Sequence, residues 1–164
     1  MSTANPYDKY LDGRSLETIL TATPGALASA LADLSPEKHN APIAPGKWSP
    51  AQIVSHLADC EIAFAWRLRQ ILAEDTPLLQ PFDQEKWAQT YQAYEAGAAL
   101  AVFSTVRDWN LRLLRAAPPA AFAKPVNHPE RVDMTFQVLV ETMAGHDVNH
   151  IRHIQSIAGL TAGA

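Results

Sequence analysis

At 164 residues, with 48% apolar residues and a formal charge of −4, the chain is long enough to bury a real core and too apolar to be disordered. Its 13 Lys and Arg are scattered without the basic stripe of a nucleic-acid binder, and its one cysteine, Cys60, excludes an intramolecular disulfide. No apolar run approaches the ~20 residues that a membrane span needs, and the start lacks the basic-then-apolar order of a secretory signal, so the expected location is the cytoplasm.

Gly and Pro cut the chain into a few long segments, with no internal repeat or linker, and residues 1–164 read as a single domain. The first helix is expected from about Gly13 to Leu34. Leu16, Ile19, Leu20, Leu27, Leu31 and Leu34 fall mostly at helical spacing. Pro24 lies inside and should bend or divide it. Ser35-Pro36 and the segment Ala41 to Gly46 read as loop.

The second helix has the clearest start. Ser49-Pro50-Ala51-Gln52 gives an N-cap serine, a proline at the first helical position and a glutamine at the third, which is a capping box. Ile53, His56, Leu57, Cys60, Phe64, Leu68 and Ile71 then recur every three or four residues, until Thr76-Pro77 ends the helix. A short helical piece near Asp83 contains Trp87. A longer one runs from about Gln92 to Ala116, with Leu100, Phe103, Val106, Leu111 and Leu114 as its stripe, and Pro118-Pro119 stop it.

Between Phe122 and Asp133 the chain reads as loop, with room for a short hairpin. The last helix is expected to start at Thr135 as N-cap and to run to about Ala158, with Gly159 as C-terminal cap. Four long helices with almost no strand signal predict an all-α four-helix bundle with a long connection before the last helix.

Three of the six histidines crowd into Gly145-His146-Asp147-Val148-Asn149-His150-Ile151-Arg152-His153-Ile154-Gln155. On a helix, His146 and His150 lie one turn apart on one face, a spacing at which two imidazoles grip one metal ion. His153 shares that face, but three ligands in a row on one straight helix close a coordination sphere poorly. A ring from a facing helix closes it better, and His56, on the apolar stripe of the second helix, is the candidate.

Read singly, His56 is a core histidine and the other two a solvated pair. Read together, on helices ~8–10 Å apart, they converge on one ion. His153 then reads as a pocket residue and Cys60 as inert packing. Asp59 and Glu61 are candidate acceptors for an imidazole N–H, with the surface the simpler place for Glu61. Trp48, Trp66, Trp87 and Trp109 are expected in the core or on pocket walls, and His39 and His128 in solvated loops.

Three stretches resemble the DinB/YfiT-like family of metal-binding helix bundles, which is unrelated to the lesion-bypass polymerase of the same name. They are Lys47 to Asp59, with its Trp-Ser start and His56; Phe82-Asp83-Gln84-Glu85-Lys86-Trp87-Ala88; and His146 to Ile154. The likeness spans about Leu16 to Ile157 in matching order, and it implies His56, His146 and His150 as metal ligands. His153 is a departure, since many members carry glutamine there.

Three neutral histidines leave positions open for water or substrate, as in catalytic rather than structural sites. Imidazole suits zinc, nickel, iron or copper, with zinc, nickel and iron the leading candidates for one divalent ion. The resemblance implies a thiol-dependent S-transferase or detoxification enzyme that uses a low-molecular-weight thiol on a small electrophile, with His153 or a nearby carboxylate moving protons. The alternatives are a metal-dependent hydrolase of a small amide or ester, and a non-catalytic metal-binding stress-response protein. The expected partners are a small-molecule substrate and a second copy in a homodimer, with no nucleic acid and no membrane.

Overall fold

A computed structural model describes residues 5–42 and 44–159, so residue 43 of the loop expected between Ala41 and Gly46 lies outside it. Every regular element among the described residues is helical. Helix α1 spans Leu16–Ala32, and Ser15 Oγ accepts from Thr18 N–H at 3.2 Å to cap it. Pro24 neither breaks nor divides it. Proline has no N–H, so the buried Leu20 carbonyl four residues back loses its helical partner. Arg107 Nη1 donates to that carbonyl at 3.2 Å instead.

A short α2, Pro36–His39, forms where a loop was expected, and His39 Nε2 lies 3.0 Å from the Leu31 carbonyl oxygen rather than in solvent. Helix α3 spans Pro50–Ala73 behind a complete capping box. Ser49 N–H donates to Gln52 Oε1 at 2.9 Å, and Gln52 N–H donates to Ser49 Oγ at 3.3 Å. Helix α4, Gln84–Ala88, is capped by Asp83. Helix α5, Ala96–Ala116, starts later than its sequence suggests because Tyr91–Ala93 closes a 3₁₀ turn and Glu95 is extended. Helix α6, Phe136–Ala158, begins at Thr135, whose Oγ1 accepts from Val138 N–H, and ends at Gly159 in the left-handed region (φ 75°) that suits glycine.

The four long helices close a ring. α3 packs on α5, α5 on α1, α1 on α6 and α6 on α3. The steps from α1 to α3 and from α5 to α6 therefore cross the bundle diagonal. The second connection carries a 3₁₀ turn at Pro119–Ala123 and antiparallel bridges Pro125–Thr135 and His128–Arg131, the hairpin for which the sequence left room. Asn127 pairs with Leu78, so the segment after α3 lies against this connection.

The apolar core falls into two halves. One gathers Leu20, Phe64, Leu68, Phe136 and Met143. The other gathers Leu27, Ile53, Leu57, Phe103 and Ile154. Buried polar residues lie at the junction, with Arg107 at its centre. Its Nε and Nη2 donate to Glu61 Oε1 and Oε2 at 2.9 and 2.7 Å, and its Nη1 also donates to Asp147 Oδ2 at 2.7 Å. Asn110 Nδ2 completes the layer by donating to Glu61 Oε1 at 2.8 Å. Glu61 is thus not at the surface, as expected, but 1% exposed, because it is the counter-ion of a buried guanidinium.

The tryptophans depart from expectation in the other direction. Trp66 is 69% and Trp109 63% exposed, and Trp87 is exposed too; only Trp48 is half-buried, packed against the His56 ring. On α3 and α5 the inward positions belong to Phe64, Leu68, Arg107 and Asn110, which leaves Trp66 and Trp109 on the outer arc.

Arg107→Met retains the bulk but leaves two buried carboxylates unpaired. It is expected to destabilise the protein by about 3–5 kcal/mol, the usual cost of breaking a buried ion pair on one side. Urea denaturation of both proteins measures it, and a loss below about 1 kcal/mol would mean that the layer is far better hydrated than its burial indicates.

Candidate metal centre

The capping box at Ser49 fixes the start of α3 and so the height of His56, in its second turn. His146 and His150 come from one face of α6, where α6 packs on α3. The structure brings these three rings together. Their centroids lie 5.1 Å (His56–His146), 5.0 Å (His56–His150) and 4.5 Å (His146–His150) apart. One nitrogen from each lies within 4.8 Å of the others, and Nε2 of His56 stands 3.0 Å from Nε2 of His146. All three side chains are buried.

Packing holds the rings. Trp48 lies 4.7 Å from the His56 ring and stacks within 18° of His150. Tyr7 meets His146 edge-on at 5.3 Å. Cys60 places Sγ 3.5 Å from His56 Nε2, and burial keeps its thiol protonated. Neither Asp59 nor Glu61 accepts a hydrogen bond from an imidazole. Glu61 is committed to Arg107, and the Nδ1 atoms of His146 and His150 are buried without any partner.

Burial depresses His56 to about 4 and His150 to about 3, and holds His146 well below its ordinary value, with neighbouring rings adding to the effect on the last two. All three are therefore neutral near pH 7, which is the form that binds a cation. Two imidazoles on one ion at ~2.0–2.1 Å bring their nitrogens to about 3 Å from each other. The 3.0 Å approach of two neutral ring nitrogens fits two imidazoles that share one divalent ion.

His56 and His146 form part of the floor of a cleft of about 240 Å³. One wall is Tyr7, which sequence reading did not single out. A Cβ on Gly145 would stand 2.5 Å from the Tyr7 carbonyl oxygen, so glycine at this helical position lets the N-terminal segment lie against α6 beside His146. A glycine inside a helical stripe was the available signal. His128 and Arg131, from the connection before α6, form the rim, so His128 is half-buried rather than solvated. His153 is also half-buried, but it neither joins the three facing rings nor lines this cleft.

This architecture matches known proteins. Residues 19–154 match the model of the DinB superfamily, and the chain belongs to that superfamily. A Bacillus mycoides protein (strain KBAB4) named "putative metal-dependent hydrolase" is 27% identical over 82% of this chain and 78% of its own length. An Oceanobacillus iheyensis protein of the same descriptive name is 26% identical over the same shares. YfiT from Bacillus subtilis, described as "a probable metal-dependent hydrolase with an unusual four-helix bundle topology", superposes with a TM-score of 0.81 over 88% of this chain and 84% of its own. It is 24% identical, a likeness that speaks to the fold alone.

In metal-stripped protein the unfolded chain takes up protons on these rings below about 6.5, whereas folded His56 does so only near 4 and folded His150 near 3. The unfolded state then holds more protons in that window, so stability rises with pH through it. The contribution is complete above about 6.5 and is lost as pH falls towards 4. Urea titrations between about pH 4.5 and about pH 7.5 should show a shallower acid-side loss for His56→Leu than for the parent. Equal slopes would mean that the fold does not hold His56 neutral.

Proposed function

We propose that this protein is a metal-dependent hydrolase of a small amide or ester, with one divalent ion held by His56, His146 and His150. One observation carries the reading: three buried, neutral imidazoles converge where a cleft reaches His56 and His146, with no fourth donor in the cluster among the described residues. Catalytic sites use three protein ligands, whereas structural sites are usually closed by four. A divalent ion in such a site supplies Lewis acidity, which makes a bound water more acidic and polarises a carbonyl.

The chain's own groups prepare the rest. Burial keeps the three imidazoles from binding protons in competition with the cation. Phe64, Leu79 and Met134 give the cleft an apolar wall that displaces water from a substrate's body. The Tyr7 phenol has its pKa raised by burial, so it is protonated near pH 7 and can donate to a substrate oxygen. We place proton transfer on this side of the cluster and not at His153, which lies outside the cleft.

The names of the curated relatives support hydrolysis. Thiol transfer, the first expectation from the family resemblance, draws no support from them and gives way to its alternative. Zinc, nickel and iron all suit the donor set.

Gently purified protein should carry about one divalent ion per chain by elemental analysis, and His56→Ala should lose it. The loaded protein should hydrolyse members of a panel of small amides and esters without added thiol, and His150→Ala should not. His153→Gln should keep both the ion and most of the rate. Turnover that appears only when a thiol is supplied would return the reading to thiol transfer. Absence of turnover with either, together with a lower melting temperature on chelation, would leave the ion a structural role.

A further inference from the structure

Eight arginines are present in a chain whose acidic residues outnumber its basic ones, 17 to 13. Arg14, Arg107, Arg112, Arg115 and Arg152 each pair with a carboxylate. Arg69 donates to Asn110 and to the Ala65 carbonyl. The remaining two, Arg67 and Arg131, make no ion pair among the described residues, and both line the cleft above His56 and His146. Glu130 lines it as well, yet stands in ion-pair contact with neither.

The placement of both arginines is built. Arg67 rises from α3, donates through Nη2 to the Gln80 carbonyl at 2.7 Å, and holds its guanidinium 5.5 Å from the Phe82 ring centroid. That fixes the plane while leaving most of its five N–H donors uncommitted. Arg131 is set by the His128–Arg131 bridge and by the turn that follows, where Asp133 takes a left-handed φ of 55°. Burial of Arg67 lowers its pKa, and the charge of Arg131 lowers it further, so the two cations share a partly dry space without a counter-ion. An anion between them would relieve that cost.

We propose that Arg67 and Arg131 determine the specificity of this cleft by selecting a small organic molecule that carries a carboxylate, whose remainder extends towards His56 and His146. The planar guanidinium fork matches the two oxygens of a carboxylate. The apolar wall of Phe64, Leu79 and Met134 receives an organic body rather than a bare inorganic ion. This rests on the reading of the histidine floor as the reacting end, and it names the other end of the substrate.

Isothermal titration of metal-loaded and chelated protein with benzoate, phenylpropionate and succinate, with their neutral amides and with inorganic phosphate, tests it. At least one carboxylate should bind, and its affinity should fall about tenfold or more in both Arg67→Gln and Arg131→Gln, as expected for lost charged hydrogen bonds. Arg112→Gln, on the outer surface, should bind like the parent, and the matched amide should not bind. Because Arg67 also steadies the Gln80 segment, Arg67→Lys serves as a second variant. It keeps the charge but not the fork, and should fall between the parent and Arg67→Gln.

Binding of no carboxylate, equal binding of the amide, unchanged affinity in the glutamine variants, or tighter binding of phosphate than of every carboxylate overturns the assignment. Elemental analysis of the same samples separates the two readings. Arginine-dependent carboxylate binding in a parent protein that retains no divalent ion even after loading would sink the metal reading and leave this one standing.

Discussion

One buried cation ties all four long helices together. Arg107 stands on α5 and reaches Glu61 on α3, Asp147 on α6 and the carbonyl that Pro24 frees on α1. An ion pair this deep is a poor source of net stability, because desolvation offsets most of the attraction. Its effect is on register. Glu61 follows His56 by a little over one turn, and Asp147 is the residue after His146. Once the guanidinium has both carboxylates, α3 and α6 have little freedom to slide, and the imidazoles they carry come to one level. Cys60 and Val148, both buried next to these carboxylates, add apolar packing that keeps water from the layer.

The parts of this design that depend on local chemistry were legible in the sequence. The ends of α3 and α6 follow from Ser49, Gln52, Thr135 and Gly159, because capping is a contest among neighbouring residues. The histidine constellation was legible because helical spacing sets which side chains share a face, and a lone imidazole among Ile53, Leu57 and Cys60 asks for a partner. What escaped depends on residues far away in the chain. Pro24 reads as a breaker until Arg107 answers the carbonyl it frees, and Glu61 reads as solvated until the same guanidinium arrives from 46 positions on. Trp66 and Trp109 read as core or pocket-wall residues, although their positions in the helical period face outward. Tyr7, His128 and Arg131 lie on segments with no periodicity, where nothing but the folded chain shows which cavity they share.

The site places two electrostatic environments side by side. Below, a layer of committed charges has its hydrogen bonds almost filled. Above, the imidazoles are neutral and two of their nitrogens go without a partner. Side chains that could have served those nitrogens are present in the sequence but engaged elsewhere, so ring orientation rests on Trp48 and Tyr7. A ligand set steered by aromatic contacts instead of hydrogen bonds retains its basicity without an acceptor behind it, a different arrangement from the carboxylate–histidine pairs common in zinc enzymes.

The contact between Tyr7 and Gly145 bears on how this protein can be handled. The segment before α1 looks dispensable when only the bundle is considered, and trimming to the regular helices is a common way to obtain crystals or to fuse a domain to another. Here such trimming would remove one side of the cavity and uncover His146 to bulk water. A shortened version could hold its helical content and melting curve, and still be unfit as a stand-in for the intact chain in any assay of the cleft.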